Sequence, residues 1–325
     1  MRNGVAVLLF PLTLAAFGPD APRVYHFNTV QGAPAYQEVA NTLHTIGDVR
    51  DVTVDPTAGN LVVSGTADQL ALIDWLLPQL DQSPGGATSP AYQMTGNGGV
   101  VRVFRMAHAG SPRELQEIVN VIRTVADMAR ILPVNSSGSV IARGTADQIT
   151  LAAWLVSQLD VSGPDPAAHI QASQLPGVPE AEIRVIHLAH TTSTSGLLEL
   201  VNTIRTIAEI NRVFPNNTAV ALVIRGEPQT VAVAEWLVGQ LDQTANQQGP
   251  SPHEQAVKGR TDSVARVFYL THAQSPAAML LVANTLRADL KVQRIFPCLQ
   301  VRALSIRGSA EQLSEAEKLI AELDR

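Results

Sequence analysis

The chain has a single cysteine, Cys298, so no disulfide can form within it. Beside Pro297 in an apolar stretch, that thiol reads as a small buried hydrophobe. Aromatic residues make up only 4%, which leaves few platforms on which bases could stack. Charged residues are 16% and the net charge is −6, with a pI near 5.7. That balance argues against a large phosphate-binding face, which needs clustered Lys and Arg. Catalytic signatures are missing too. The hydroxyl-rich stretch Thr191-Thr-Ser-Thr-Ser195 has no Gly-x-Ser-x-Gly elbow. His108, His190 and His272 recur at one place after a strand, without a paired carboxylate, and read as polar caps of a turn rather than zinc ligands. The expectation is a protein that is not an enzyme, with no cofactor and no metal.

What is present begins with the N-terminus. Met1-Arg-Asn precedes Gly4 to Ala16, which is nearly all apolar. One positive charge ahead of roughly 13 apolar residues is the pattern of an export signal, and the run is short for a membrane span. Residues 1–18 are read as a signal peptide with its cleavage site undefined, since Pro19 follows Ala16-Phe17-Gly18. The expected location is the periplasm or the exterior of a bacterium, with outer-membrane association, and no stable membrane span once the signal is removed.

The rest of the chain repeats itself. Gly65, Gly144, Gly226 and Gly308 each open a similar stretch ending in Leu-Asp, spaced by about 80 residues. Each stretch joins a glycine, a helix start, an apolar helix and the closing Asp81, Asp160, Asp242 or Asp324. Such a period is too long for a solenoid repeat and sets out four small domains: 23–81, 100–160, 183–242 and 264–325. The segments 82–99, 161–182 and 243–263 are rich in Gly, Pro, Ser, Gln and Ala and read as mobile tethers.

Within each unit the pattern predicts strand, helix, strand, strand, helix, an α+β fold with a three-stranded sheet covered on one face by two helices. The first helix is apolar at i, i+3, i+4 and i+7, as in Tyr36, Val39, Ala40 and Leu43. Pro133, Pro215 and Pro297 remove a ladder donor from the second strand, which places it at an edge. The third strand alternates, with Leu61 and Val63, Val140 and Ala142, Leu222 and Ile224, Leu304 and Ile306 inward, so Arg143, Arg225 and Arg307 are expected in solvent. The second helix starts with capping boxes at Thr66, Thr145 and Ser309, and with Pro228 in unit three.

The pattern V-x-x-L-x-[HN]-A, helix, apolar strand, L-x-[IV]-x-G-[ST]-x-[ED]-Q, helix, x-Q-L-D resembles the N-terminal periplasmic domains of secretins. Those are ring channels of bacterial secretion systems and type IV pili. The resemblance spans all four units and implies a KH-like βαββα fold that stacks in the periplasm. A secretin continues into a pore-forming β region, whereas this chain stops at Arg325. It therefore resembles the periplasmic part of a secretin without the channel.

Two sets of residues read as candidate interaction sites. On the second helix, Leu70, Ile73, Leu76, Leu77 and Leu80 form the core face, while Trp75, Trp154 and Trp236 lie roughly opposite, beside Leu72, Leu151 and Val233. A core helix needs no second apolar stripe, and unit four carries Glu315 and Lys318 there. Each Trp is expected to dock the next unit or its linker. Asn41, Asn120, Asn202 and Asn284 recur on the first helix, on the side away from its apolar face. The expected function is a non-enzymatic periplasmic scaffold serving a type II secretion or type IV pilus system. Its partners would be envelope or secretion-system proteins or further copies of itself, and not nucleic acid. The alternatives are a KH-like nucleic-acid binder, raised by fold analogy alone, and a secretin subunit lacking its pore domain.

Overall fold

Alternation along the strand gives Leu61 and Val63 one buried face and leaves Asn60, Val62 and Ser64 half-buried on the other. The computed structural model describes residues 22–83, 89–96, 98–163, 170–175, 178–244, 253–257, 262–273 and 275–325. The segment read as an export signal lies outside them. The chain divides into two bodies, residues 1–81 and residues 82–325.

The first body is one unit: β1 (Arg23–His26), α1 (Ala33–Gly47), β2 (Asp51–Asp55), β3 (Asn60–Ser64) and α2 (Ala67–Leu80). Its antiparallel sheet has the order β1-β3-β2. Val39, Leu43 and Ile46 of α1 meet Ile73, Leu76 and Leu80 of α2 over the inner face of the sheet, all fully buried. Helix α2 starts with a complete capping box, Thr66 with Gln69. The Gln69 Nε2 also donates to the Asp48 carbonyl at 2.8 Å, which joins the start of one helix to the end of the other.

The second body holds three units of the same order, each with one more strand. Unit two is β4 (Tyr92–Gln93), β5 (Val100–Arg105), α3 (Pro112–Val125), β6 (Arg130–Val134), β7 (Ser139–Gly144) and α4 (Ala146–Leu159). Unit three is β8 (Ile170–Leu175), β9 (Val178–His187), α5 (Thr194–Ile207), β10 (Arg212–Asn216), β11 (Ala221–Gly226) and α6 (Pro228–Leu241). Unit four is β12 (His253–Ala256), β13 (Val264–Tyr269), α7 (Pro276–Leu290), β14 (Arg294–Cys298), β15 (Ala303–Gly308) and α8 (Ala310–Leu323). The sheets run β4-β5-β7-β6, β8-β9-β11-β10 and β12-β13-β15-β14. The proline-bearing strands β6, β10 and β14 are edges, with Pro133 opposite Val140, Pro215 opposite Leu222 and Pro297 opposite Leu304.

Two expectations are corrected here. The segments read as tethers supply β4, β8 and β12, which pair with the first strand of the following unit and make three of the sheets four-stranded. Their polar composition hides the strands because backbone pairing, not side-chain burial, holds them. Nor do the arginines of the third strand all face solvent: the Arg307 side chain is 1% exposed and Arg225 11%. The outer face of those sheets is covered by the preceding unit, and alternation within one strand cannot reveal a partner supplied by another domain.

Candidate interaction surfaces at the unit junctions

Every unit closes on itself through its last aspartate. Asp160 accepts from the backbone N–H groups of Ala107, His108 and Ala109, at 2.6, 2.9 and 2.8 Å. Asp81 does the same for Asn28, Thr29 and Val30, Asp242 for Ala189, His190 and Thr191, and Asp324 for Thr271, His272 and Ala273. A carboxylate has the wrong sign for a helix C-terminus, so this nest of three amides accounts for its place there. Burial alone would raise the Asp324 pKa, but the amides of Thr271, Ala273 and His272 outweigh it and hold the carboxyl below the usual range. The three histidines after the first strand lend this contact their backbone, and their rings are exposed.

The junction of units two and three is built from opposite sides. On α3, Glu117 takes the Asn217 backbone N–H and side-chain amide, both at 3.0 Å. Past the end of α3, Asp127 has a left-handed backbone (φ 50°) that aims its carboxylate at Arg212, 2.9 Å, and Arg225, 2.6 Å. Arg225 also donates to the Val125 carbonyl at 2.7 Å, which satisfies the open end of α3. Burial raises the Asp127 pKa, but the Arg225 hydrogen bond and charge, with Arg212, bring it below its ordinary value.

Units three and four meet the same way. Glu199 on α5 accepts from the backbone N–H groups of Leu299 and Gln300, 2.9 and 3.2 Å, and from the Cys298 thiol at 3.5 Å. Glu209, φ 59°, faces Arg294 and Arg307, and Arg307 donates to the Ile207 carbonyl at 2.8 Å. Asp262 closes the other side of both arginines at 2.6 and 3.0 Å. Cys298 is buried, and desolvation together with Glu199 pushes its thiol up to about 12.

Apolar contact runs across both junctions. The core of unit two is continuous with Ile183, Val185, Ala221 and Val223 of the sheet in unit three, and that of unit three with Ala265, Val267 and Ala303 of unit four. Leu151 and Val233 are buried members of these two clusters, with Trp154 and Trp236 half-buried against them. Tyr269 of unit four, packed against the same cluster as Trp236, donates to the Gln240 carbonyl at 2.6 Å. In unit one Leu72 is fully buried and Trp75 half-buried. Asn41, Asn120, Asn202 and Asn284 are exposed. Asn41 and Asn120 accept from Gln37 and Gln116 one turn earlier, and Asn284 from Arg287.

Sequence reasoning missed Glu117, Glu199, Asp127 and Glu209, and saw the closing aspartates recur without seeing what they bind. The signal was present, since the acids recur at aligned positions and Asp127 and Glu209 each have two aligned arginines in the next unit. Grooves of about 430 Å³ in unit three and about 340 Å³ in unit one lie at the same place, beside Asp242 and Asp81. Their carboxylates are engaged: Glu235 pairs with Arg184, Asp74 with Arg23 and Tyr25, and the closing aspartates with amides. Among the described residues no group of three or more His, Cys, Asp or Glu could hold a metal ion, and no helix is long and apolar enough to cross a membrane.

The arrangement defines a chain of βαββα domains in which, within residues 82–325, helices of one unit dock on the sheet of the next, and the chain is similar to secretin N-terminal domains. The N-terminal domain of the secretin XcpQ from Pseudomonas aeruginosa is 22% identical, over 45% of this chain and 60% of that one, with a TM-score of 0.20. A second XcpQ structure, XcpQN012, is 14% identical over 65% of this chain and 93% of that one, TM-score 0.24. Aeromonas hydrophila ExeD is 18% identical over 69% of this chain, TM-score 0.17, and this chain spans 42% of its length. These likenesses concern fold alone. No protein-family model matches the sequence, and no curated protein matches it.

Proposed function

We propose that the protein is a non-enzymatic scaffold of the bacterial envelope, exported to the periplasm, which holds secretion-system components at fixed spacing. The observation that carries this reading is the repeated junction: an acid past the first helix, two arginines on the next sheet and a shared apolar cluster. Machinery that fixes one unit against the next suits a spacer, and the carboxylates along it are spent on structure rather than chemistry. The N-terminal run and the likeness to secretin N-terminal domains support the compartment and the secretion link. Trp154 and Trp236 serve the array by seating the following unit, and the recurring asparagines offer a polar face to partners.

The test is expression of the full chain with an affinity tag, osmotic-shock fractionation, and cross-linking in cells followed by identification of the partners. The chain should leave with the periplasmic fraction and cross-link to secretin or pilus proteins. Retention in the cytoplasm, or cross-links to nucleic acid, would overturn the reading.

A further inference from the structure

The two junctions within residues 82–325 use one set of contacts, and the α7 side of unit four and the sheet of unit one depart from it. On the helix side, the residue aligned with Glu117 and Glu199 is Leu281, which is 64% exposed beside Leu280 at 47%. The residue aligned with Asp127 and Glu209 is Lys291, an exposed cation in the same left-handed conformation, φ 54°. On the sheet side, Asp51 of unit one stands where Arg212 and Arg294 stand, and Ser64 where Arg225 and Arg307 stand. Pro56 stands where Asn217 and Leu299 donate an N–H to glutamate, and proline has none. The next two amides, of Thr57 and Ala58, already donate to Asp55 at 3.1 and 3.0 Å.

These changes match in pairs. Where the helix exchanges acid for base, the sheet exchanges base for acid, and where the helix exchanges a carboxylate for leucine, the turn exchanges an N–H for proline. We propose that the α7 face of unit four docks on the β2–β3 edge of unit one in a second copy of this chain, Lys291 against Asp51 and Leu281 against Pro56. Unit four carries polar Glu315 and Lys318 on α8 where the other units carry the Trp stripe, so this contact rests on α7, whose Leu280 and Leu281 are exposed. The reversed charges also keep these faces off the internal ones, since Lys291 would repel the arginines that Asp127 and Glu209 attract. The contact joins unlike faces, so it extends until a ring closes. It goes beyond the scaffold reading, which a monomer bound to envelope partners would leave standing.

Sedimentation velocity of the purified chain over a range of concentrations tests it. Association should rise with concentration and weaken with salt. Lys291→Glu and Asp51→Arg should each weaken it by about tenfold or more, because an attraction becomes a repulsion. The double variant carries the internal pairing of Glu209 with Arg294 and should associate again. Glu209 already occupies the Lys291 backbone conformation, so that exchange is sterically tolerated. Leu281→Glu should also abolish association, with thermal unfolding unchanged. A wild-type chain that stays monomeric, single variants that still associate, or a double variant that does not recover would each overturn the proposal.

Discussion

Asp127 and Arg225, 98 residues apart in sequence, meet at 2.6 Å where the second unit ends and the third begins. Arg225 also takes the last open carbonyl of α3 at Val125, so one guanidinium joins a helix end, a carboxylate and a sheet. Replacing Asp127 by Asn removes the charge and keeps the shape. In a double-mutant cycle with Arg225→Gln, the coupling should be about 1 kcal/mol, modest because the aspartate side chain is half exposed. Native-state hydrogen exchange reads it as faster exchange confined to β10 and α3.

Acid should act on the same contact. The Asp127 pKa is depressed in the folded state, so its contribution is full above the ordinary value of 3.8 and is lost as pH falls through the lower folded value. Asp324 has the same sign and the same window. Protection relative to the intrinsic, pH-dependent exchange rate, at the junction of units two and three and at the Thr271–Ala273 turn, should be flat from neutral pH to about 5 and fall below about 4. A fall in protection on going from pH 7 to pH 5 would contradict this.

Cys298 reports on the junction of units three and four. With its thiol at about 12 and its side chain buried against Glu199, it should resist alkylation at pH 8. Arg307→Ala removes a guanidinium that is 1% exposed and leaves Asp262 and Glu209 with Arg294 alone. Labelling of Cys298 should then quicken by about tenfold or more, timed by mass spectrometry of the intact chain.

The closing aspartates invite a test within one unit. Asp160→Ala deletes three hydrogen bonds to a charged acceptor and should destabilise unit two by about 2–4 kcal/mol. Asp160→Asn keeps one acceptor oxygen and should cost less. Urea titration followed by exchange at β5 separates this loss from the other units, which a single unfolding curve would merge.

Trp154→Ala should cost about 2 kcal/mol at the junction of units two and three, less than for a wholly buried Trp. Small-angle scattering should report a less compact body for residues 82–325. An unchanged profile would remove the role proposed for the tryptophans.

Much of each unit was legible before the structure. The i, i+3, i+4, i+7 pattern located α1 and α3, Pro133, Pro215 and Pro297 marked edges, and Thr66, Thr145 and Ser309 announced helix starts that form as complete capping boxes. These signals are local, acting within four residues or one strand. The outer faces of the sheets were not legible, because what covers Val223 and Arg307 belongs to another unit. Asp127 and Glu209 also escaped notice, since a left-handed turn usually signals itself by glycine and here does so by an acid. The strands β4, β8 and β12 lacked the apolar alternation by which strands are recognised.

The nest at the end of each unit ties its last residue to the turn that closes its first strand, 51 to 53 positions earlier. Each domain is therefore latched from within, the end of its last helix to the end of its first strand. A gene encoding such a domain can be copied in frame, or a copy deleted, and every closure remains whole because none borrows an atom from its neighbour. Diversification can then fall on the docking residues alone, and four copies of one latch can come to carry different junctions.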